Sequence, residues 1–226
     1  MKNTTNGVKI AWLRDNIVNG MTIVNAGACI GAFTTLFADL VGKEGRVVAY
    51  EPRLGYFKRL EEVVEDQNVL CVNAAVGNYD GEGELYIANN IGWDSMSPKR
   101  NFGLGTATVK VLTLDTHLKQ VGIDKVDILK VDVEGWDLCA LEGAEKIIDN
   151  SERIAIVLEA HPFHVDRNEL LNFLLSRGFT VFNLGNYDIP VTYGMAYQNE
   201  LLAIKGDWKN EINRLFTTPP TNHFNS

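Results

Sequence analysis

Residues 24–31 read Val24-Asn25-Ala26-Gly27-Ala28-Cys29-Ile30-Gly31, and this stretch decides the fold. The apolar run Met21–Ala26 predicts a buried strand, and apolar residues at helical spacing after Gly31 predict an amphipathic helix. A turn with two glycines lets the backbone come close to a ligand, and the start of a helix offers unpaired N–H groups. The stretch therefore indicates a strand–turn–helix unit that binds a nucleotide-like ligand, although a plain tight turn has the same pattern.

The ligand of this turn is not expected to be a dinucleotide. The G-x-G-x-x-G pattern that holds a pyrophosphate would need glycines at the positions of Cys29 and Ala32, and no P-loop G-K-[ST] occurs. Glu51 ends a second predicted strand, 24 residues after Gly27. A carboxylate at that point accepts hydrogen bonds from both hydroxyls of an unphosphorylated ribose. The alternative role of Glu51 is an exposed cap before Pro52.

Strand-like runs alternate with helix-like periods along most of the chain. The strands predicted for the main sheet are Met21–Ala26, Arg46–Tyr50, Val69–Ala75, Val126–Asp132, Arg153–Glu159, Phe179–Leu184 and Glu200–Lys205. This alternation is typical of a doubly wound α/β fold, with a mostly parallel seven-stranded sheet and helices on both faces. Two further strands, Glu84–Ala88 and Ala107–Leu112, have no helix between them and predict an inserted antiparallel pair around residues 84–112.

The loop between the inserted strands, Asn89–Thr106, is unusually long for a compact domain. Loops of this length are usually functional or disordered. We expect this one, which contains Trp93, Asp94 and Ser95, to border a ligand and to become more ordered when the ligand binds.

Composition limits the class of protein. The 226 residues suit one large α/β domain at 21–206, with an N-terminal helical extension at 1–20 and a tail at 207–226. The charge, 21 − 29 = −8, disfavours nucleic acid and anionic membranes as partners. No apolar run approaches a membrane span, and no signal peptide is evident. Three cysteines without C-x-x-C spacing suggest reduced thiols in a cytoplasmic protein.

A second polar cluster lies at the end of the strand Val126–Asp132. Side chains alternate along a strand, so Lys130 and Asp132 share one face, and Glu134 joins them if the extension continues. Ionisable groups are unexpected in a buried parallel strand, and its carboxyl end is where open α/β sheets bind ligands. The alternative is a structural ion pair between Lys130 and Asp132. The next strand ends in Glu159-Ala160-His161-Pro162, so His161 is a candidate base near the same crevice or a structural histidine.

Together these residues resemble the FkbM-type methyltransferase family from about Gly20 to Lys205. Four segments carry the resemblance: Val24–Gly31; Tyr50-Glu51-Pro52; Thr113-Leu114-Asp115 with Val126–Gly135 and Leu141–Ala144; and Val157-Leu158-Glu159. The resemblance implies a class I, Rossmann-like methyltransferase fold, S-adenosylmethionine as methyl donor, and O-methylation of a small-molecule, sugar or glycan hydroxyl. Two positions depart from the family pattern, with Asn25 where the family has aspartate and Cys29 where it has asparagine.

The resemblance also implies a set of site residues. The candidate cofactor-binding residues are Asn25, Gly27, Ala28, Cys29, Gly31, Glu51, Ala75, Ser95 and Asp132. The candidate catalytic residues are Asp132, Glu134, His161 and Lys130. A divalent ion on some of Asp132, Glu134 and Glu159 is an open variant, and no metal ligand is assigned.

Two rival functions remain at this point. The substitutions at Asn25 and Cys29 motivate a non-catalytic donor-binding or interaction protein. A nicotinamide-dependent oxidoreductase is disfavoured by the missing glycines. Neither the acceptor nor the oligomeric state follows from the sequence.

Overall fold

The computed structural model describes residues 5–65, 68–101, 103–159, 166–184, 186–191 and 200–208, with side chains omitted at 5–6 and 186–190. The elements in chain order are α1 (Thr5–Asn16), β1 (Thr22–Ala26), α2 (Ala32–Val41), β2 (Arg46–Tyr50), α3 (Leu54–Val63), β3 (Val69–Val72), β4 (Ala75–Val76), β5 (Gly81–Tyr86), a 3₁₀ turn (Pro98–Arg100), β6 (Thr106–Leu112), α4 (Leu114–Gln120), β7 (Ile128–Val131), α5 (Asp137–Glu142), α6 (Glu145–Asn150), β8 (Ile154–Glu159), α7 (Arg167–Ser176), β9 (Thr180–Asn183), β10 (Asn186–Pro190) and β11 (Glu200–Lys205).

The main sheet has the strand order β10-β9-β11-β8-β7-β1-β2-β3. The strands from β8 to β3 are parallel, and β11 runs antiparallel to both β8 and β9. The mostly parallel sheet of seven predicted strands is confirmed. The short strand β10 adds an eighth at the edge.

Helices cover both faces of this sheet, as predicted. One face packs under α4, α5, α6 and α7, and its buried side chains include Leu118, Leu141 and Leu174. The other face packs under α1 and α2, through Trp12, Leu13 and Phe37, with α3 contributing Leu60. The central strands are buried on both sides, which explains why they read as nearly continuous apolar runs.

The inserted antiparallel pair is confirmed as β5 and β6, with Leu85 opposite Ala107. The short strand β4 pairs in parallel with β6 and completes a small three-stranded sheet. The third predicted strand was too long, because β3 ends at Val72 and Ala75 belongs to the small sheet. The amide of Asn73 donates to the backbone oxygens of Glu51 and Pro52, which turns the chain out of the main sheet.

Two helices differ from the prediction. α4 was missed, although Thr113 caps it by accepting a hydrogen bond from the Thr116 N–H. The helical residues after β7, which carry Leu138, Leu141 and Ile148 at helical spacing and predict one helix, form two helices, α5 and α6, separated at Gly143. A Cβ at Gly143 would lie 1.8 Å from the carbonyl oxygen of Gly77, so the two backbones meet where the helix breaks.

The predicted division of the chain at 20/21 and 206/207 stays a prediction. The helix α1 lies inside the predicted extension, and its Trp12 contacts Trp208 with 5.9 Å between ring centroids. Residues 209–226 of the predicted tail lie outside the described residues. In the described part of the chain, no helix is long and apolar enough to cross a membrane.

Candidate active site

A cavity of about 260 Å³ lies at the carboxyl ends of the central strands, between the glycine turn and the small sheet. Six predicted site residues line it: Gly27, Cys29, Glu51, Ala75, Asp132 and Glu134. Five others lie outside the lining: Asn25, Ala28, Gly31, Ser95 and Lys130. His161 lies outside the described residues.

The two glycines of the turn have different roles. A Cβ on Gly27 would lie 1.9 Å from the backbone oxygen of Asp132, so only glycine lets β1 and the end of β7 meet here. A Cβ on Gly31 would instead meet Val63 and Leu60 of α3, at 2.6 and 3.1 Å. Gly27 therefore shapes the cavity, whereas Gly31 lets α3 pack against the start of α2.

Cys29 adopts a left-handed backbone conformation with φ of 50°. Asparagine tolerates this region several-fold better than most residues, so the family's asparagine suits the position and cysteine holds it under strain. The Cys29 N–H donates to Oε2 of Glu51 over 2.9 Å, which ties the turn to the end of β2. Burial raises the pKa of the Cys29 thiol above its usual value, so the thiol stays protonated at neutral pH.

Asn25 is fully buried and does not line the cavity. Its amide Nδ2 donates to Oγ1 of Thr34 over 2.9 Å, which links β1 to α2. Its Oδ1 has no hydrogen-bond partner among the described residues. Ala28, also buried, packs with Leu60 of α3.

Glu51 is only 5% exposed and faces the cavity from the end of β2. Its two oxygens accept hydrogen bonds from the backbone N–H groups of Cys29 and Arg53, at 2.9 and 2.8 Å. Burial raises the pKa of Glu51 to about 7, against the two N–H donors, which lower it. The carboxyl group therefore changes charge near neutral pH and keeps lone pairs that can face a ligand.

The ion pair between Lys130 and Asp132 exists, with 2.9 Å between Nζ and Oδ2. Lys130 is buried outside the cavity, so it supports Asp132 from behind. Burial pushes the pKa of Asp132 upward, but the Lys130 ammonium and other partners outweigh burial and hold that pKa below its usual value. The side chain of Asp132 is thus an ionised carboxylate on the cavity wall.

Glu134 lies beside Asp132 with a left-handed backbone, φ of 56°. Its Oε2 is 2.8 Å from Nη2 of Arg100, an arginine that is 7% exposed. Burial raises the pKa of Glu134 to about 7, although Arg100 lowers it. Strain at a non-glycine residue beside a ligand cavity is typical of functional positions.

The long loop crosses the cavity and is attached on both sides. Oγ of Ser95 donates to the backbone oxygen of Glu134 over 2.7 Å, so this hydroxyl holds the loop and does not face the cavity. On the other side, Nη1 of Arg53 lies 2.9 Å from Oδ2 of Asp94. Trp93 lines the cavity, remains 47% exposed and contacts Arg100 at 5.5 Å.

The sequence did not identify every ionisable group at the site. Glu159, at the end of β8, lines the cavity, and burial with the nearby charges of Asp132 and Glu200 raises its pKa to about 8. From the sequence, Glu159 was predicted only as a possible metal ligand, on the basis of its position at a strand end beside the same crevice. Asp94 belongs to the loop that was predicted to border a ligand, and it lines the cavity. Arg100 had no signal in the sequence, because only the folded loop brings it to Glu134. Among the described residues, no group of three or more histidine, cysteine, aspartate or glutamate side chains is arranged to hold a metal ion.

Comparison with solved structures places the fold among methyltransferases. An FkbM methyltransferase from Methylobacillus flagellatus KT superposes with a TM-score of 0.54 and 18% identity, over 82% of this chain and 43% of that chain. The present chain thus spans less than half of that protein. An rRNA methylase from Streptococcus thermophilus gives 0.50 and 12%, over 91% and 98%. Fibrillarin from Aeropyrum pernix, with natively bound S-adenosyl-L-methionine, gives 0.50 and 13%, over 88% and 73%.

These identities establish the fold alone, and among curated protein sequences none matches. The family model described as the methyltransferase FkbM domain matches residues 25–181, which include the glycine turn, the small sheet and both polar strand ends. Because this match covers more than half of the chain, the protein belongs to the FkbM methyltransferase family.

Proposed function

We propose that this protein transfers a methyl group from S-adenosylmethionine to a hydroxyl group of a small molecule or sugar. The observation that carries the proposal is the cavity itself, which joins the glycine turn and Glu51 to the carboxylates of Asp132 and Glu134. The first pair suits a nucleoside and the second suits proton transfer at the acceptor.

The charge of the cavity fits this donor. Five carboxyl-bearing residues line the cavity: Glu51, Asp94, Asp132, Glu134 and Glu159. The described lining contains neither lysine nor arginine. Such a wall, on which Asp132 is ionised and the other carboxyl groups can accept or donate hydrogen bonds, favours a ligand with cationic sulfonium and ammonium groups over a pyrophosphate. This lining supports the donor assignment over the nicotinamide alternative.

Each wall has a role in holding the donor. Gly27 and Cys29 line the cavity and would lie beside the methionine part. Glu51 would accept hydrogen bonds from the ribose hydroxyls. Ala75 and its neighbours Ala74 and Val76 form a small apolar wall that suits a flat ring.

When bound, S-adenosylmethionine supplies a methyl group on a positive sulfur that is its own leaving group. The chain must align the acceptor oxygen with this methyl group and remove the hydroxyl proton. We assign the proton to Asp132, which is ionised, with Glu134 orienting the acceptor. A C–O bond forms as the S–CH₃ bond breaks, and the products are a methyl ether, a neutral thioether and a protonated carboxyl group. The part taken by His161 stays a prediction.

The test is calorimetric titration with S-adenosylmethionine, followed by a screen of hydroxylated sugars and natural products for release of S-adenosylhomocysteine. Binding together with turnover that is lost in Asp132→Asn supports the enzyme. Binding without turnover on any hydroxyl or amine acceptor supports the non-catalytic donor-binding alternative. Absence of binding contradicts both.

The acceptor is expected to be a small molecule or glycan. The net charge of −8 argues against nucleic acid. The rRNA methylase among the structural neighbours does not change this expectation, because its similarity concerns the fold. The cytoplasmic location also stays a prediction.

A further inference from the structure

An unusual lysine lies behind the cavity. Lys9 belongs to α1, outside the part of the chain that the family model matches, yet it is only 2% exposed. Lysine is almost never fully buried unless it is paired. Its Nζ lies 2.7 Å from Oε1 of Glu200 on β11. The other oxygen of Glu200 has no hydrogen-bond partner among the described residues, so Lys9 is the contact that holds this carboxylate.

Glu200 connects Lys9 to the cavity. In the antiparallel pairing of β11 with β8, Glu200 lies directly opposite Glu159. Glu159 lines the cavity and directly follows Leu158, which pairs with Val131, the residue before Asp132. One ammonium group from α1 therefore faces a row of three carboxyl groups that crosses from β11 through β8 to the end of β7.

Phe33 gives the same lysine a second connection to this row. The Lys9 ammonium lies 5.1 Å from the centre of the Phe33 ring, and the Lys130 ammonium lies 4.9 Å from it. Lys130 pairs with Asp132. Phe33 is in the first turn of α2, directly after the glycine turn, so both lysines are held against an element of the donor site.

The charges of this buried cluster balance only with one added proton. Two ammonium groups, of Lys9 and Lys130, face the carboxyl groups of Asp132, Glu159 and Glu200. Burial and the two neighbouring carboxylates raise the pKa of Glu159 to about 8, while that of Asp132 is held low. Near neutral pH, Glu159 thus keeps the proton beside an ionised Asp132.

We propose that Lys9 is a positioning residue, which makes α1 part of the active centre by holding Glu200 and fixing the Asp132–Glu159 carboxyl pair in its singly charged form. This inference rests on the proposed function, in which Asp132 accepts the proton of the acceptor. Lys9 does not line the cavity, so it acts through the carboxyl pair and not on a substrate.

The charged groups around the pair come from several elements. They are Lys9 on α1, Lys130 on β7, Glu134 after β7 with its partner Arg100, Asp137 on α5, and Glu200 on β11. Lys9 lowers the pKa of both Asp132 and Glu159, and Glu200 raises that of Glu159. Removing Lys9 should therefore move the titration of the pair to higher pH, and removing Glu200 should move it lower.

The experiment follows the carboxyl carbon of Glu159 by NMR in the protein without donor or acceptor, with the signal assigned from Glu159→Gln. Lys9→Met should raise the midpoint by about one pH unit, the low end of the effect of a nearby opposite charge. Glu200→Gln should lower it, and the double variant should fall between the two. Lys9→Arg should stay near the parent. Arg14→Met removes a charge from an exposed position on the same helix and should change nothing.

A purely structural role for Lys9 would lower thermal stability and leave the Glu159 midpoint unmoved in Lys9→Met, which overturns the inference. If Lys9→Met does not fold, the test uses Lys9→Arg and Glu200→Gln. An unchanged Glu159 midpoint in Glu200→Gln contradicts the inference equally. In the active enzyme, Lys9→Met should move the acid limb of the pH–rate profile to higher pH, since Asp132 works ionised. If the Glu159 midpoints shift as expected but the protein methylates no acceptor, the proposed function is refuted. The effect of Lys9 on the Asp132–Glu159 carboxyl pair is then still supported.

Discussion

Replacing Glu51 with glutamine tests the donor site most directly. In the parent protein, the carboxylate accepts two backbone hydrogen bonds, at 2.8 and 2.9 Å, and has further lone pairs for the ribose. Glutamine keeps one oxygen but places an NH₂ group where the second acceptor stood. A hydrogen bond to a charged group contributes about 1.5–3 kcal/mol, so donor affinity should fall by roughly 10- to 150-fold.

The effect should also depend on pH. Burial raises the pKa of Glu51 to about 7, so the group is neutral below that pH and ionised above it. Ribose hydroxyls donate hydrogen bonds and therefore favour the ionised form. Affinity of the parent should then decrease as pH falls through 7, by at most about tenfold per pH unit. The Glu51→Gln variant lacks the titrating carboxyl group, so it should lose the part of the pH dependence of donor affinity that comes from Glu51.

The measurement is calorimetric titration with S-adenosylhomocysteine on both sides of pH 7. Glu134 and Glu159 titrate in the same range, so the quantity to compare is the difference between parent and variant at each pH. Glu44→Gln, at an exposed glutamate that does not line the cavity, is the matched control. Equal affinity and equal pH dependence in the parent and Glu51→Gln would refute the placement of the ribose.

Three other changes test the rest of the site. Asp132→Asn should leave donor affinity within about threefold and lower turnover on the order of 100-fold, and normal turnover would mean that Asp132 is not the base. Ser95→Ala removes the 2.7 Å hydrogen bond to the Glu134 backbone and should speed hydrogen exchange in residues 89–101. In the parent protein, the same residues should gain protection from exchange when S-adenosylhomocysteine binds. Equal protection with and without this ligand contradicts a ligand-ordered loop. Asp137→Asn tests stability, because burial raises the pKa of Asp137 to about 7, so the parent loses unfolding free energy as pH rises from the group's usual value through 7. Chemical denaturation should show the variant's relative stability rising over that interval, and a constant difference would argue against a protonated Asp137.

The features that could be predicted from the sequence are those that depend on residues close together in the chain. The alternation of buried strands and amphipathic helices gave the sheet, because burial on both faces leaves a continuous apolar run such as Ile128–Val131. The positions of the glycine turn and of Glu51 at two neighbouring strand ends were predictable for a similar reason. The number of residues between the two strand ends is set by the helix that connects them. The prediction that Lys130 and Asp132 lie on the same face of the strand followed from the alternation of side chains alone.

Other features depend on contacts between distant residues. Arg100 approaches Glu134 only because the loop crosses the cavity, and the pairing of Lys9 with Glu200 joins positions 191 residues apart. No periodicity marks such partners. The helix break at Gly143 is also nonlocal, since its cause is the backbone of Gly77. The contact of Asn25 with the donor stays a prediction, and the hydrogen bond from its amide to Thr34 is a further pairing that the sequence does not reveal.

The small sheet has a consequence for how this protein can diversify. Its first and last strands, β4 and β6, run side by side, with Val76 opposite Leu112, so the segment 77–111 leaves the main body and returns at neighbouring points. Insertions whose ends are close together can be lengthened or exchanged with little effect on the rest of a domain. The segment carries Trp93 and Asp94 on the cavity wall, whereas Glu51 and Asp132 are fixed by the main sheet. Exchange of this one module between relatives would therefore alter the cavity wall that Trp93 and Asp94 form while leaving Glu51 and Asp132 in place.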